Sequence, residues 1–372
     1  MDKAGRLGRH RTASVAPAVS QIYLPPAEDE LLSSYLVRRA HCQGLSPHRF
    51  TTRGLPGTAI WTRDIDASLT APAIAPVANY LSLSEMAIKS MTLYDRVGCE
   101  KPSGLAWGLF RRWINAVGVY HRLRRRHGLQ FCPDCLAVSP SFRRSWRLAF
   151  AFACPVHGVL LHDACPQCDA QVVPHRRKFD VTRCWRCGAS LSFAAQAGNP
   201  VPGDILVLQA WWMRCVEEQE IDVGGQRIPS VQFLQGAIAM MRMLKQYFHS
   251  HPQLWPYGFD EPIHEELRFL RRDSRLHLYS VLYELLNEWP NNFLQFAWAA
   301  GVSQLALRRC GVLPMWMTAA VERLPAQLRS RQSASEADFV RYVRQLECKG
   351  GIGCRSLRAQ ALMRAAKGIY GH

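Results

Sequence analysis

The chain has 372 residues, and its 46 Lys and Arg against 29 Asp and Glu give a net charge of +17. At roughly 100 to 200 residues per domain this length predicts two or three domains, and an apolar content of 48% with aperiodic Gly and Pro excludes collagen-like, mucin-like and largely disordered chains. No apolar stretch reaches the roughly 20 residues that a membrane-spanning helix needs.

The first elements are helical. Residues 1–20 carry arginines without the apolar run of a signal peptide, so we expect a flexible basic leader and reduced, cytosolic thiols.

We predict an N-terminal helical domain at residues 21–128, in which one helix runs from Glu28 to Cys42. Ser82 or Ser84 caps another helix, which turns four apolar side chains toward a core: Met86, Ile88, Met91 and Leu93. The unit is either a helix-turn-helix or a plain helical core.

Four pairs of metal-binding side chains follow, each with two residues between its members: Cys132 and Cys135, Cys154 and His157, Cys165 and Cys168, Cys184 and Cys187. A two-residue gap lets both side chains of a pair reach one ion, and two pairs complete a tetrahedron. The order predicts a site of three cysteines and one histidine, then a site of four cysteines, within a double zinc module at 129–197. Loss of one metal, or an interleaved pairing of the first pair with the third, stays open.

Both sites would have all four positions filled by protein, whereas catalytic zinc keeps one position for water. We therefore predict two structural Zn²⁺ ions and no enzymatic activity. His264 and Glu266 supply the H-x-E of zinc deaminases, but the P-C-x-x-C that this chemistry requires is missing. A Gly-rich phosphate loop is missing too, so ATP hydrolysis has to come from a partner.

Basic residues crowd the zinc module, and the thiolates of two bound ions would lower the net charge only to about +14. The candidates for nucleic-acid contact are Arg124, Arg125, Arg126, Arg143, Arg144, Arg147, Arg176, Arg177 and Lys178. Together with Trp146 and Trp185 they suit phosphate contact and base stacking. A solvated rim on a protein-binding module is the alternative.

Gly and Pro residues at 198–203 mark a linker before a C-terminal helical domain at 204–372. Apolar residues repeat at helical spacing from Phe233 to Phe248, behind a Ser230 cap, and again from Leu276 to Leu286. The three methionines of the first segment, Met240, Met241 and Met243, are predicted to be core. The fold class is therefore mainly α and multidomain.

Residues 293–310 fit a helix-turn-helix, with the small Ala297 where two helices cross and Gly301 in the turn. The second helix of that motif lies in the major groove. Gln304 and Arg308 would then point at bases, and Arg309 at phosphate or base. A helix pair that only packs within the protein explains the pattern equally well.

Two blocks resemble the TniQ family. One runs from Leu24 to Ala40 (LPPAEDELLSSYLVRRA) and continues with Gly44-Leu45-Ser46 and Phe50; the other runs from Phe131 to Cys168 and includes FRRSWRL at 142–148. The resemblance covers roughly 22–190, and its zinc run is the more specific part. Tyr35 stands where the family pattern has Trp, which bears on the packing of that helix.

The resemblance implies a non-catalytic target-selection adaptor of a transposon, placed in the cytoplasm at a prokaryotic nucleoid. Such an adaptor links target DNA, or a target-bound complex, to an AAA+ ATPase regulator of the TniB/TnsC type and through it to the DDE transposase. In relatives the target is a DNA site, a resolvase-bound site or a CRISPR effector with guide RNA, and this sequence does not say which. It leaves homodimer formation and RNA contact open as well. A stand-alone zinc and helix-turn-helix transcription regulator is the alternative function.

Overall fold

The computed structural model describes residues 24–58, 60–94, 105–177, 180–192, 201–252 and 266–327. Within these ranges the fold is mainly α-helical, as predicted. The helices are α1 Leu32–Cys42, α2 Pro47–Gly54, α3 Ile65–Ser68, α4 Ala71–Leu81, α5 Glu85–Ser90, α6 Leu105–Phe110, α7 Pro133–Val138, α8 Gly203–Glu217, α9 Ser230–Ser250, α10 Arg272–Leu286, α11 Asn291–Ala299, α12 Gln304–Cys310 and α13 Met315–Glu322.

Two antiparallel hairpins accompany these helices. Strand β1 (Val119–Tyr120) pairs with β2 (Leu123–Arg124), and β3 (Glu220–Val223) pairs with β4 (Gln226–Pro229). None of the described helices is both long and apolar enough to cross a bilayer. The predicted leader, the linker residues up to 200, Lys178 and residues 328–372 lie outside the described residues.

Helix α1 begins at Leu32 rather than at Glu28, because the chain turns just before it. Asp29 has a φ of 55°, which a right-handed helix does not allow. The Glu30 carboxylate accepts hydrogen bonds from the backbone N–H of Ala27 (2.9 Å) and from Ser34 Oγ (2.8 Å). The turn thus occupies residues that the sequence pattern assigned to the helix.

The predicted cap of the later helix is confirmed at Ser84, whose Oγ accepts a hydrogen bond from the backbone N–H of Ala87 at the start of α5. Ile88, Met91 and Leu93 are buried, as predicted, but the prediction for Met86 was wrong, since that side chain is 71% exposed. Met86 lies in the first turn of a six-residue helix, which faces solvent there.

A short turn also joins α1 to α2. Gly44 has a φ of +66°, and Ser46 Oγ caps α2 by accepting from the backbone N–H of Arg49 (3.3 Å). A left-handed glycine between two helices is typical of helix-turn-helix arrangements. The helix pair closest to that form in the N-terminal unit is therefore α1 and α2, rather than α1 and α5.

The centre of the molecule is an aromatic cluster drawn from all three predicted domains. Trp113 and Trp212 are fully buried, with ring centroids 5.6 Å apart. Phe150 stacks on Trp212 at 6.3 Å, and Tyr279 meets Trp212 edge-on at 4.9 Å. Such aromatic pairs stabilise a fold beyond the burial of their area. The C-terminal helices α8 and α10 thereby pack directly on the metal-binding region.

Helix α9 is the long element of the C-terminal half and contacts α8, α10 and α12. Its methionines Met240, Met241 and Met243 are all buried, which confirms the core interpretation. Ser230 is the first residue of α9 rather than its cap, because its hydroxyl donates to the backbone oxygen of Glu218 instead.

One buried histidine of α10 makes stability depend on pH. Burial lowers the pKa of His277 to about 4, below the value of about 6.5 in an unfolded chain. The folded protein therefore holds the neutral ring, and its stability is complete above pH 6.5 and decreases as the pH falls. We expect about 2 kcal/mol less stability at pH 5 than at pH 7 from this residue.

A His277→Phe variant should escape this loss, because the ring packs against Phe248 (centroids 5.3 Å apart) and a phenyl group keeps that contact. The measurement is thermal unfolding of both proteins at pH 7 and pH 5. Acid effects on other groups cancel in the comparison, so an equal loss in both proteins would contradict the prediction.

Candidate metal centres and basic surface

The first cluster brings together Cys132, Cys135, Cys154 and His157. The two sulfur atoms of Cys135 and Cys154 lie 3.6 Å apart. His157 Nδ1 lies 3.3 to 3.5 Å from all three sulfur atoms. Cys132 precedes α7 and Cys135 lies in its first turn, so the helix positions one pair of ligands.

The second cluster brings together Cys165, Cys168, Cys184 and Cys187. The sulfur atoms of Cys165 and Cys187 are 3.7 Å apart, as are those of Cys168 and Cys184. The ligands are grouped in chain order in both clusters, rather than in the interleaved order that the spacing alone left open.

Three of the four pairs have the same backbone turn. In each, the residue four positions after the first ligand returns an N–H to that cysteine's carbonyl oxygen and has a positive φ. The turns are Gly158 to Cys154 (2.8 Å, φ +63°), Asp169 to Cys165 (2.9 Å, φ +53°) and Gly188 to Cys184 (3.1 Å, φ +79°). This turn points both side chains of a pair to one point, and glycine or aspartate suits its left-handed residue.

The distances fit a metal ion better than disulfide bonds. Sulfur atoms at tetrahedral corners, about 2.3 Å from one centre, lie about 3.8 Å apart, and a nitrogen lies about 3.6 Å from each sulfur. A disulfide would need about 2.05 Å, and all seven cysteines are free. Each cluster can therefore hold one metal ion with four protein ligands.

Electrostatics also favours a cation in each cluster. Hydrogen bonds with Cys135 and Cys154 raise the pKa of Cys132, while hydrogen bonds with Cys132 and Cys135 lower the pKa of Cys154. Burial raises the pKa of Cys165 to about 12, and a backbone N–H lowers the pKa of Cys187 to about 7. Sulfur atoms this close cannot all be thiolates without a positive charge between them, and metal binding supplies that charge as the protons leave.

The link between the two clusters is tied to the C-terminal half. Asp163 accepts hydrogen bonds from Arg271 Nε and Nη2 (3.1 Å each) and from the backbone N–H of Arg272 (2.9 Å). Arg271 also pairs with Asp169, in the second cluster's first turn, at 3.1 Å. No local pattern in the sequence indicated this junction, because its partners are about 100 residues apart.

Two of the arginines predicted to contact nucleic acid are buried in an acidic network. Arg147 is fully buried; its Nη2 lies 2.6 Å from Asp64 and its Nη1 lies 3.4 Å from Asp66. Arg124 donates to Ser33 Oγ (3.1 Å) and lies 3.9 Å from Asp66. Both guanidinium groups are thus engaged inside the fold.

Four other candidates are partly buried. Arg144 pairs with Asp29 at 3.1 Å. Arg143 lies over the Trp146 ring at 5.6 Å and Arg126 over the Phe269 ring at 4.8 Å, while the carbonyl oxygen of Arg177 lies 3.2 Å from His41 Nε2. Trp146 is buried and so offers no open stacking face, whereas Trp185 is partly buried and its ring N–H donates to the carbonyl oxygen of Gln171. Arg125 and Arg176 are exposed.

The candidate helix-turn-helix consists of α11 and α12. Gly301 lies in the turn with a φ of 63° and Ala297 is buried, as the pattern predicted. Ser303, which the pattern did not single out, caps α12. Gln304, however, donates to the backbone oxygens of Leu324 (2.8 Å) and Glu322 (3.3 Å), while Arg308 and Arg309 are exposed. Base reading by Gln304 therefore stays a prediction and would require these two bonds to break.

Residues 21–161 match the TniQ family model. The chain contains a TniQ domain. This domain takes in α1 to α7 and the complete first cluster, and it ends four residues before Cys165, so the second cluster and the C-terminal helices lie beyond the matched residues. It implies a role in transposition, in the selection of the target. Searches of curated proteins and of solved structures gave no match.

Proposed function

We propose that this TniQ-domain protein is the non-catalytic target-selection adaptor of a transposon. The observation that carries the proposal is the TniQ domain itself, folded around a cluster whose four ligand positions all come from protein. It would bind the target and recruit an AAA+ ATPase regulator of the TniB/TnsC type, which in turn engages the DDE transposase. Target DNA, a resolvase-bound site and a CRISPR effector are the candidate targets.

Both clusters fit Zn²⁺, since three or four thiolates with tetrahedral spacing are the ligand set that structural zinc takes. Cys132, Cys135, Cys154 and His157 would hold one ion, and Cys165, Cys168, Cys184 and Cys187 the other. With no ligand position open for water, the ions would supply folding free energy rather than chemistry. The protein's own contribution is then a rigid surface that partners recognise.

DNA contact is supported by exposed cations in two places. Arg125 and Arg176 lie on the metal-binding half, and Arg308 and Arg309 lie on α12. The buried arginines Arg124 and Arg147 would act through the fold instead. Of the arginines predicted to contact nucleic acid, we therefore propose that the exposed ones form the DNA-contacting surface.

The decisive experiment is recruitment of the ATPase. The chain, an AAA+ ATPase regulator of the TniB/TnsC type and target DNA are combined with ATP, and the DNA footprint is read with and without the ATPase. We expect the footprint to lengthen and the DNA-bound ATPase to increase at least tenfold over a reaction without this chain. A footprint that the ATPase leaves unchanged would favour the stand-alone transcription regulator, whose DNA reading α11 and α12 would supply.

A further inference from the structure

We propose that the tip of the β1–β2 hairpin, together with Arg176, is a binding site for the phosphodiester backbone of nucleic acid. The exposed basic side chains of this hairpin site are Arg122, Arg125 and Arg176. The inference rests on the proposed function, in which the protein contacts target DNA, and assigns that contact to an element that lies between α6 and the first metal cluster.

The hairpin has an unusual tip. His121 and Arg122 have φ values of 45° and 64°, so both central residues of the two-residue turn are left-handed. This conformation matches the twist of the flanking strands but normally selects Asn and Gly. Two bulky side chains, both exposed, occupy it here. Strained positions of this kind often serve binding when the surrounding structure holds them in place.

The surrounding structure does hold this tip. His175 Nε2 lies 2.7 Å from the carbonyl oxygen of Arg122, and the His175 ring stacks on Trp61 with centroids 4.7 Å apart. Gln171 Nε2 donates to the carbonyl oxygen of Arg125 at 3.5 Å. Residues 171–175 begin three positions after Cys168, so the segment that braces the hairpin extends from the first turn of the second metal cluster.

The arginines of the hairpin differ in burial and in ion pairing. Arg124 is buried against Asp66, but Arg122 and Arg125 on either side of it are exposed. Arg122, Arg125 and Arg176 form no ion pair with any carboxylate of the described residues. Arg176 follows His175 in the chain, and the His175 ring contacts the backbone of Arg122, so Arg176 lies beside the residue that braces the hairpin tip.

An exposed aromatic ring orients one of these cations. Tyr120 is 53% exposed, and the Arg125 guanidinium lies 4.5 Å from the centroid of its ring. Cation–π attraction to the ring restricts the guanidinium at little entropic cost, which suits phosphate contact by its N–H groups. Two exposed arginines of the braced hairpin, with Arg176 next to its brace, therefore supply the positive charge that a polyanion needs.

The test compares two triple variants of the full chain with the same change in net charge. The hairpin-site variant is Arg122→Gln, Arg125→Gln and Arg176→Gln. The control is Arg214→Gln, Arg227→Gln and Arg323→Gln, which removes three exposed arginines elsewhere. Affinity for a duplex and for a single strand is measured over a range of salt, and both variants are first checked for a wild-type melting temperature and metal content.

We expect at least a tenfold loss of affinity in the hairpin-site variant and little loss in the control. Each phosphate contact contributes about 0.9 to the slope of log affinity against log salt for a duplex, so the slope should become shallower by about 2 to 3. A loss with either nucleic acid supports the site, and the comparison of the two identifies which one it takes.

Equal losses in the two variants, or no loss in either, would overturn the proposal. ATPase recruitment is followed in the same samples, so the two proposals fail separately. A hairpin-site variant that binds DNA normally while the wild type still recruits the ATPase rejects the hairpin site alone. A wild type that binds DNA but never recruits the ATPase rejects the adaptor function and leaves the hairpin comparison valid.

Discussion

Replacing Cys132 or Cys165 with serine is expected to abolish soluble expression of the protein. Each substitution removes one of four ligands from a cluster at tetrahedral spacing. Binding of a structural zinc ion supplies about 10 to 16 kcal/mol of folding free energy, whereas a whole domain is stable by only about 5 to 15 kcal/mol. Losing either zinc ion should therefore cost more free energy than the whole free energy of unfolding of the domain.

The measurement is soluble yield together with elemental analysis of the purified wild type, which should contain two equivalents of zinc. Cys42→Ser is the matched control, because Cys42 is exposed and belongs to neither cluster; its yield and metal content should equal those of the wild type. A soluble, folded Cys132→Ser or Cys165→Ser protein without zinc at the altered cluster would contradict the structural role.

The second large effect is expected from Arg147→Met. Burial and the Asp64 carboxylate raise the pKa of Asp66. At Asp64 burial also raises the pKa, but Arg147, Arg124 and Arg111 together outweigh it and lower the pKa. Without Arg147, the cation that remains near Asp66 among the described residues is Arg124, at 3.9 Å. Removing one partner of a buried ion pair costs about 3 to 5 kcal/mol, because the carboxylates that remain lose the cation that offsets their burial. Thermal and denaturant unfolding measure this loss.

Two further variants separate charge from packing. Arg63→Met removes an exposed arginine beside Asp64 and should change stability by less than about 0.5 kcal/mol. Adding Asp66→Asn to Arg147→Met should recover part of the loss, since one uncompensated carboxylate is then neutral. If Arg147→Met unfolds like the wild type, the buried network does not stabilise the fold.

Local patterns explain what the sequence could predict. The two-residue spacing within each pair identified all eight side chains that the structure places in two clusters, because both ligands of a pair belong to one turn. Helical periodicity predicted α9 and α10, because the spacing of apolar residues along one helix is also a local pattern. The start of α1 and the role of Ser230 were missed because contacts with neighbouring turns decide them.

Contacts between distant residues explain what the sequence could not predict. A run of arginines near zinc ligands resembles a nucleic-acid surface, yet Arg147 pairs with carboxylates 81 and 83 residues away. Nothing in the local pattern distinguishes it from Arg125, which is exposed. The sequence likewise could not show the hairpin site as a unit, because the contact between His175 and the carbonyl oxygen of Arg122 joins residues 53 positions apart.

The aromatic cluster joins the segment that matches the family to the C-terminal helices, so the unit that folds together is longer than the matched segment. Residues 21–161 include Trp113 and Phe150, but the rings that cover them, Trp212 and Tyr279, come from α8 and α10. A fragment cut at residue 161 would expose these indole and phenyl faces to water and leave Asp163 behind. We therefore expect a fragment that contains the TniQ domain to fold only if it extends through α10.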